Sequence, residues 1–279
     1  MLKRMTEIDV KQGLKLVLSK IEEASNKRSP ELQVLEPRLV AVSKTKPANL
    51  IVAAYEEGQR HFGENYVQEL EEKANNPLIL EKCKEIKWHL IGHLQSNKVN
   101  KVLCLPNLHL IETVDSQKLA STLNKSWPKF GPPESKLNIM IQVNTSGEDE
   151  KSGILPTQVS DVAQFVLKEC SNLELKGLMT IGKIGYDPAD GPNPDFLRLK
   201  QCRDDLCQSL GLDWKNIELS MGMSTDYEQA ILQDQFSVES EKNAASAEES
   251  TQKPMESQEA SLTTNPVRMT QAKFNKLNV

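Results

Sequence analysis

Short apolar runs alternate with segments of helical period through the first 232 positions of the chain. The first such run is Leu39, Val40, Ala41 and Val42, β-branched at Val40 and Val42, and it reads as a buried strand. Further strands are expected at 60–63, 87–92, 108–113, 137–143, 173–181 and 217–221; LNIMIQV at 137–143 is the clearest. A helix precedes them in 1–24, with Ile8, Leu14, Leu16, Val17 and Ile21 expected toward a core. Pro47 opens a second helix, in which Leu50, Ile51, Ala54 and Tyr55 form an apolar face that Gly58 ends. The next helix, 67–74, is broken by Asn75, Asn76 and Pro77. Helices are also expected after Gln95-Ser96-Asn97, at 117–127 behind the cap Asp115-Ser116, and at 156–170, 195–210 and 226–232. Seven strands, each followed by a helix, mean a parallel sheet. That many units favour an α/β TIM-type (β/α)8 barrel over an open sheet, and no Gly-rich fingerprint follows the first strand to suggest a dinucleotide fold.

The pattern stops after Leu232. Residues 233–266 hold hardly an apolar side chain and many Ser, Glu, Ala and Gln, too little surface to offset the entropy of ordering them. The last piece, 266–279, is weakly basic and has no strong period. The expected organisation is an incomplete barrel, 1–232, and a disordered polar tail, 233–279. The barrel is apparently missing its eighth strand, which would leave two unpaired strand edges, a costly arrangement.

Composition narrows the partners. A net charge of −5 and a pI near 5.6 give no reason to expect nucleic acid or an anionic membrane. No apolar run approaches a membrane span. The five cysteines are odd in number and match no zinc spacing, so they read as reduced thiols of a cytoplasmic protein. A mitochondrial address is left open, although Glu7, Asp9, Glu22 and Glu23 argue against one.

Candidate chemistry concentrates at VSKTKP, 42–47. Lys44 follows the first strand at the end where ligands bind in parallel α/β folds. It shares a parity with Val40 and Val42, so all three point to one face. If that face is a barrel interior, partial desolvation raises the fraction of neutral, nucleophilic amine, as in lysines that form Schiff bases. The alternative is a solvated lysine at a strand end, the reading given to Lys46. His89 and His93 stand four apart, a metal spacing only on a helix; here they flank a strand end, and no metal site is expected.

LVAVSKTKP, HFGENYVQELEEKA, WHLIGHLQSNK, GLMTIG and ELSMGMSTDYEQAI, in this order, resemble the pyridoxal phosphate homeostasis proteins (the YggS/PROSC family), one-domain relatives of the alanine racemase barrel. The resemblance runs from about Ile8 to Leu232. It implies a protein without established turnover, which holds pyridoxal 5′-phosphate as a lysine aldimine and takes part in vitamin B6 homeostasis. Matched residue by residue, it puts the Schiff base on Lys44 and brings Asn65 near the cofactor; the other role open to Asn65 is to cap the helix after it. It puts the phosphate at SMGMS, where Gly222 permits close approach and the Met223 and Ser224 N–H groups suit a dianion. An ordinary strand–helix turn is the alternative there. The expected partners are the cofactor and recipient apo-enzymes, and a monomer is expected. The family pattern GST-x-VRIG-x-x-x-FG, which supplies an eighth strand and an arginine toward the pyridine nitrogen, is not found after the last helix. A weakened cofactor site follows. Two further readings stay open: a truncated isoform that binds no cofactor, and a racemase-like enzyme acting on amino acids.

Overall fold

The structure is a computed structural model describing residues 6–33, 35–148, 150–183, 185–187, 190–233 and 268–273. Eight parallel strands run in chain order: β1 (Pro37–Val42), β2 (His61–Glu64), β3 (Lys87–Leu90), β4 (Leu108–Val114), β5 (Leu137–Gln142), β6 (Leu173–Met179), β7 (Glu218–Met221) and β8 (Arg268–Lys273). Each pairs with the next, and β8 pairs with both β7 and β1, so the barrel is closed. The helices are α1 (Glu7–Asn26), α2 (Pro30–Gln33), α3 (Ala48–Glu56), α4 (Val67–Ala74), α5 (Pro77–Lys82), α6 (Val99–Leu103), α7 (Gln117–Ser126), α8 (Val159–Glu169) and α9 (Pro194–Leu210), followed by α10 at 227–233.

The α/β barrel is therefore as the pattern predicts, but its eighth strand comes from far down the chain. Arg268 to Lys273 pair in register with Pro37 to Val42, and Met269 and Thr270 with Ser220 and Met221. The two edges expected to stand open, those of β1 and β7, are thus paired by β8. The physical reason is that a closing strand needs backbone donors and acceptors on both sides more than it needs apolar side chains, and RMTQAK supplies them. Val267, Arg268 and Phe274 also stand at the spacing of the V, R and F in the pattern found absent after α10. Arg268 opens β8, in register with Pro37 at the amino-terminal end of β1. The expectation of disorder over the rest of 233–279 lies outside the described residues from 234 onward.

The strands sort their side chains onto two faces. Val40, Val42, Ile91, Leu110, Met140 and Met179 pack together inside the barrel. Leu39, Ala41, Phe62, Trp88, Leu90, Ile111, Ile139 and Leu178 face the helical layer. The alternation along β1 is the period of two that strand parity requires.

Two local expectations change. On α1 the buried stripe is Val10, Leu14, Ile21 and Ala24, with Val17 packed against it. Ile8 is 67% exposed and Leu16 47% exposed, because each lies about half a turn away from that stripe. Asn76 and Pro77 do not merely end α4. The Asn76 side chain accepts from Leu78 N, and Pro77 occupies the first turn of α5, where its missing N–H costs nothing.

Candidate functional site

The carboxyl ends of the strands form one mouth of the barrel. β1 ends at Val42, and a tight turn follows in which Lys46 N donates to Ser43 O and Thr45 takes φ 63°. Lys44 lies on this turn, half-buried, two residues beyond the inward-facing Val42. The turn is clamped from outside the sheet. Lys73, on α4, donates to Ser43 O at 2.6 Å, to Glu64 Oε1 at 2.6 Å and to Glu69 Oε1 at 2.7 Å. Ser43 Oγ donates to Glu64 Oε1 at 2.6 Å, and Thr45 N donates to Glu69 Oε1. Glu64 is fully buried; burial pushes its carboxyl upward while Lys73 and Ser43 pull it down. These charges are too enclosed to serve a solvated surface. They fix the backbone that carries Lys44.

Asn65 follows β2 on the neighbouring edge of the mouth. The cap position of α4 is Tyr66, and no side chain caps that helix, so Asn65 does not fill the capping role left open for it. Its Oδ1 is buried and accepts no hydrogen bond among the described residues. Its backbone lies against Gly92, where a Cβ would sit 1.8 Å from Asn65 O; only glycine fits there. Gln142, at the end of β5 with the parity of Met140, holds a second buried amide oxygen that has no partner among the described residues. It was missed in sequence because it closes a strand that reads as uniformly apolar.

Opposite them, Gly222 takes φ 87°, and a Cβ there would lie 2.9 Å from both Ala230 Cβ and Tyr227 Cα. Ser224 follows two residues on in the same loop. Met223 departs from expectation. Its N–H donates to Asp226 Oδ1 at 2.5 Å, because the Asp226 carboxylate caps the turn that leads into α10. That N–H is already used, so Met223 is not an available phosphate donor in this arrangement.

The opposite, amino-terminal end of the barrel interior is polar. His61 Nδ1 lies 2.8 Å from His89 Nε2, and His89 Nδ1 lies 2.8 Å from Glu112 Oε1. Ser220 Oγ donates to Glu112 Oε2 at 2.6 Å. Arg38 pairs with Glu218 at 3.1 Å. Burial pushes His61 down to about 2 and His109 down to about 3, and Glu218 up to about 7 against the pull of Arg38. Of this group only His89 stands out in the sequence, four residues from His93. His93 instead meets Asp115 at 3.2 Å at the exposed rim. The missed signal was three histidines on three consecutive strands.

Comparison with known proteins adds the following. The family "Alanine racemase, N-terminal domain" matches residues 22–239. A pyridoxal phosphate homeostasis protein of Mus musculus is 53% identical over 225 residues, covering 81% of this chain and 82% of its own. One from Schizosaccharomyces pombe is 43% identical, covering 78% and 84%. Among solved structures, PipY of Synechococcus elongatus with PLP bound superposes with a TM-score of 0.62 at 26% identity, covering 91% of this chain and 96% of its own. An alanine racemase of Clostridium difficile gives 0.59 at 12% identity, covering 94% of this chain but 55% of its own, a likeness of fold alone.

Proposed function

The chain belongs to the pyridoxal phosphate homeostasis protein family, and from this membership we propose that it binds pyridoxal 5′-phosphate at the carboxyl mouth of its barrel and takes part in vitamin B6 homeostasis. The residues present fit the group. Lys44 supplies the amine that would hold the aldehyde, on a turn clamped by Lys73, Glu64 and Glu69. The Asn65 amide, with no internal partner for its buried oxygen, can serve the polar edge of the ring. Gly222 and Ser224 bound the loop that would face the phosphate, and the glycine permits a close approach of backbone. The Met223 N–H would join them only by leaving Asp226. When bound, the cofactor brings a reactive aldehyde; the protein's part is to keep it sequestered and to release it to apo-enzymes.

The observation that carries this reading is the half-buried Lys44 at the end of the inward row Val40–Val42. No catalytic turnover is proposed. The alanine racemase likeness, at 12% identity, shows the fold alone and does not carry the racemase reading. The reading as a non-binding isoform was motivated by open barrel edges, and β8 pairs both of them. Five free thiols, four of them buried, suit a reducing compartment such as the cytosol.

The test is absorbance of the purified full chain mixed with pyridoxal phosphate, followed by borohydride reduction and peptide mapping. A visible band with the reduced adduct on Lys44, lost in Lys44→Ala, is the expected result. A folded protein that gives no band, or an adduct unchanged by Lys44→Ala, would sink the proposal.

A further inference from the structure

At the end of the barrel opposite Lys44, three imidazoles converge from three adjacent strands. His61 opens β2, His89 lies within β3 and His109 within β4. One ligating atom from each lies within 4.8 Å of the others, and the ring centroids are 5.1 to 5.2 Å apart. Regular strand alternation would not deliver His109 here. Leu110 and Glu112 share the inner face of β4, so His109 should point toward the helices. An irregularity in the β3–β4 pairing, where Trp88 opposes Leu108 but His89 opposes Leu110, turns it inward. Bulges re-aim side chains in this way beside sites. The His109 ring has no hydrogen-bond partner among the described residues, so the bulge is not explained by a bond that His109 makes.

The surroundings complete the picture. Glu112 Oε1 takes the Nδ1–H of His89, which fixes the tautomer and leaves the Nε2 lone pair directed at His61. A carboxylate behind an imidazole is the outer-shell arrangement that orients histidine ligands of metals. Ser220 in turn holds the other oxygen of Glu112. Arg38, the cation on β1, is neutralised by Glu218 on β7, while Lys87 is exposed and Lys176 is half-buried and pairs with Glu174. His89 is fully buried but His61 and His109 are only partly so, which leaves a path in from the amino-terminal mouth.

We propose that His61, His89 and His109 form a binding site for a zinc ion, separate from the cofactor mouth and tying β2, β3 and β4 together. Imidazole nitrogens suit zinc, and three protein ligands leave a fourth position for water. Binding replaces the bridging proton between His61 Nδ1 and His89 Nε2; that proton moves to His61 Nε2, so both nitrogens present lone pairs to the ion and no net proton is lost.

Full-length protein stripped with chelator and passed through a desalting column would be titrated with zinc against a chromophoric competitor, with metal content measured after removal of excess. One zinc per chain is expected, with affinity reduced at least about 100-fold in His61→Ala and in His109→Ala and 10- to 100-fold in Glu112→Gln. X-ray absorption of the zinc-loaded wild type reads the ligands without relying on any variant, and should show three imidazoles. No stoichiometric zinc overturns the proposal, as does zinc whose binding is unmoved by the folded histidine variants or whose first shell contains sulfur, which would place it at the exposed Cys104.

Discussion

Lys73 carries more than its own charge. It is buried against Glu64, which has no exposure at all, and it is the main partner that keeps that carboxylate compensated. Lys73→Met should therefore destabilise the protein by about 3–5 kcal/mol, measured by urea unfolding, and should loosen the retention of pyridoxal phosphate by releasing the Lys44 turn. Adding Glu64→Gln should recover part of the stability, since the stranded charge is then gone. Gly222→Ala meets both a positive φ and a 2.9 Å contact with Tyr227 Cα and Ala230 Cβ, so a loss of about 1–3 kcal/mol and weaker cofactor binding are expected in thermal and absorbance titrations. Among the thiols, burial pushes Cys83 and Cys202 up to about 11, while Cys104 is exposed. Ellman's reagent should modify Cys104 promptly in the native protein and the other four only after denaturation; rapid reaction of two or more would contradict the packing. At this scale the inward row of Val40 and Val42 was legible, because parity along a strand is a rule of backbone geometry. The engagement of Met223 was not, because it depends on which way the Asp226 carboxylate turns. The Lys73–Glu64–Glu69 clamp was equally hidden, since it joins a helix to two strands that are remote in sequence.

Among the elements, the strands between residues 37 and 221 were all foreseen, since a buried parallel strand is a nearly continuous apolar run. β8 was not foreseen. Its six residues include only Met269 and Ala272 as apolar positions, and it follows a long polar stretch. Its contribution is carried by the backbone, so it is tested through the backbone. Thr270 pairs with Leu39 on one side and Met221 on the other. Thr270→Pro removes the N–H at that position and should lower the melting temperature and promote association through the freed β1 and β7 edges, whereas Thr270→Val should be tolerated. Equal melting of the two variants would mean that the strand does not bear load. The α1 stripe teaches a related lesson. Apolar content put Ile8 and Leu16 in the core, but helical angle put Val10 there instead.

For the molecule as a whole, the barrel presents two chemically different ends: a mouth with Lys44 at the carboxyl side and a polar, histidine-lined end at the other. The closure between them has a temporal side. β7 ends at residue 221 and β8 starts at residue 268, so the last staves of the barrel are joined through a long excursion of the chain. Such length costs little at equilibrium, about 0.6 kcal/mol for each doubling of a loop. It acts on rate instead. β1 leaves the ribosome well before β8 and must wait for that partner to be made. Through that interval two sheet margins stand open together. The newborn protein should therefore lean on chaperones more heavily than its finished stability suggests, and refolding from denaturant should yield less soluble material as concentration rises.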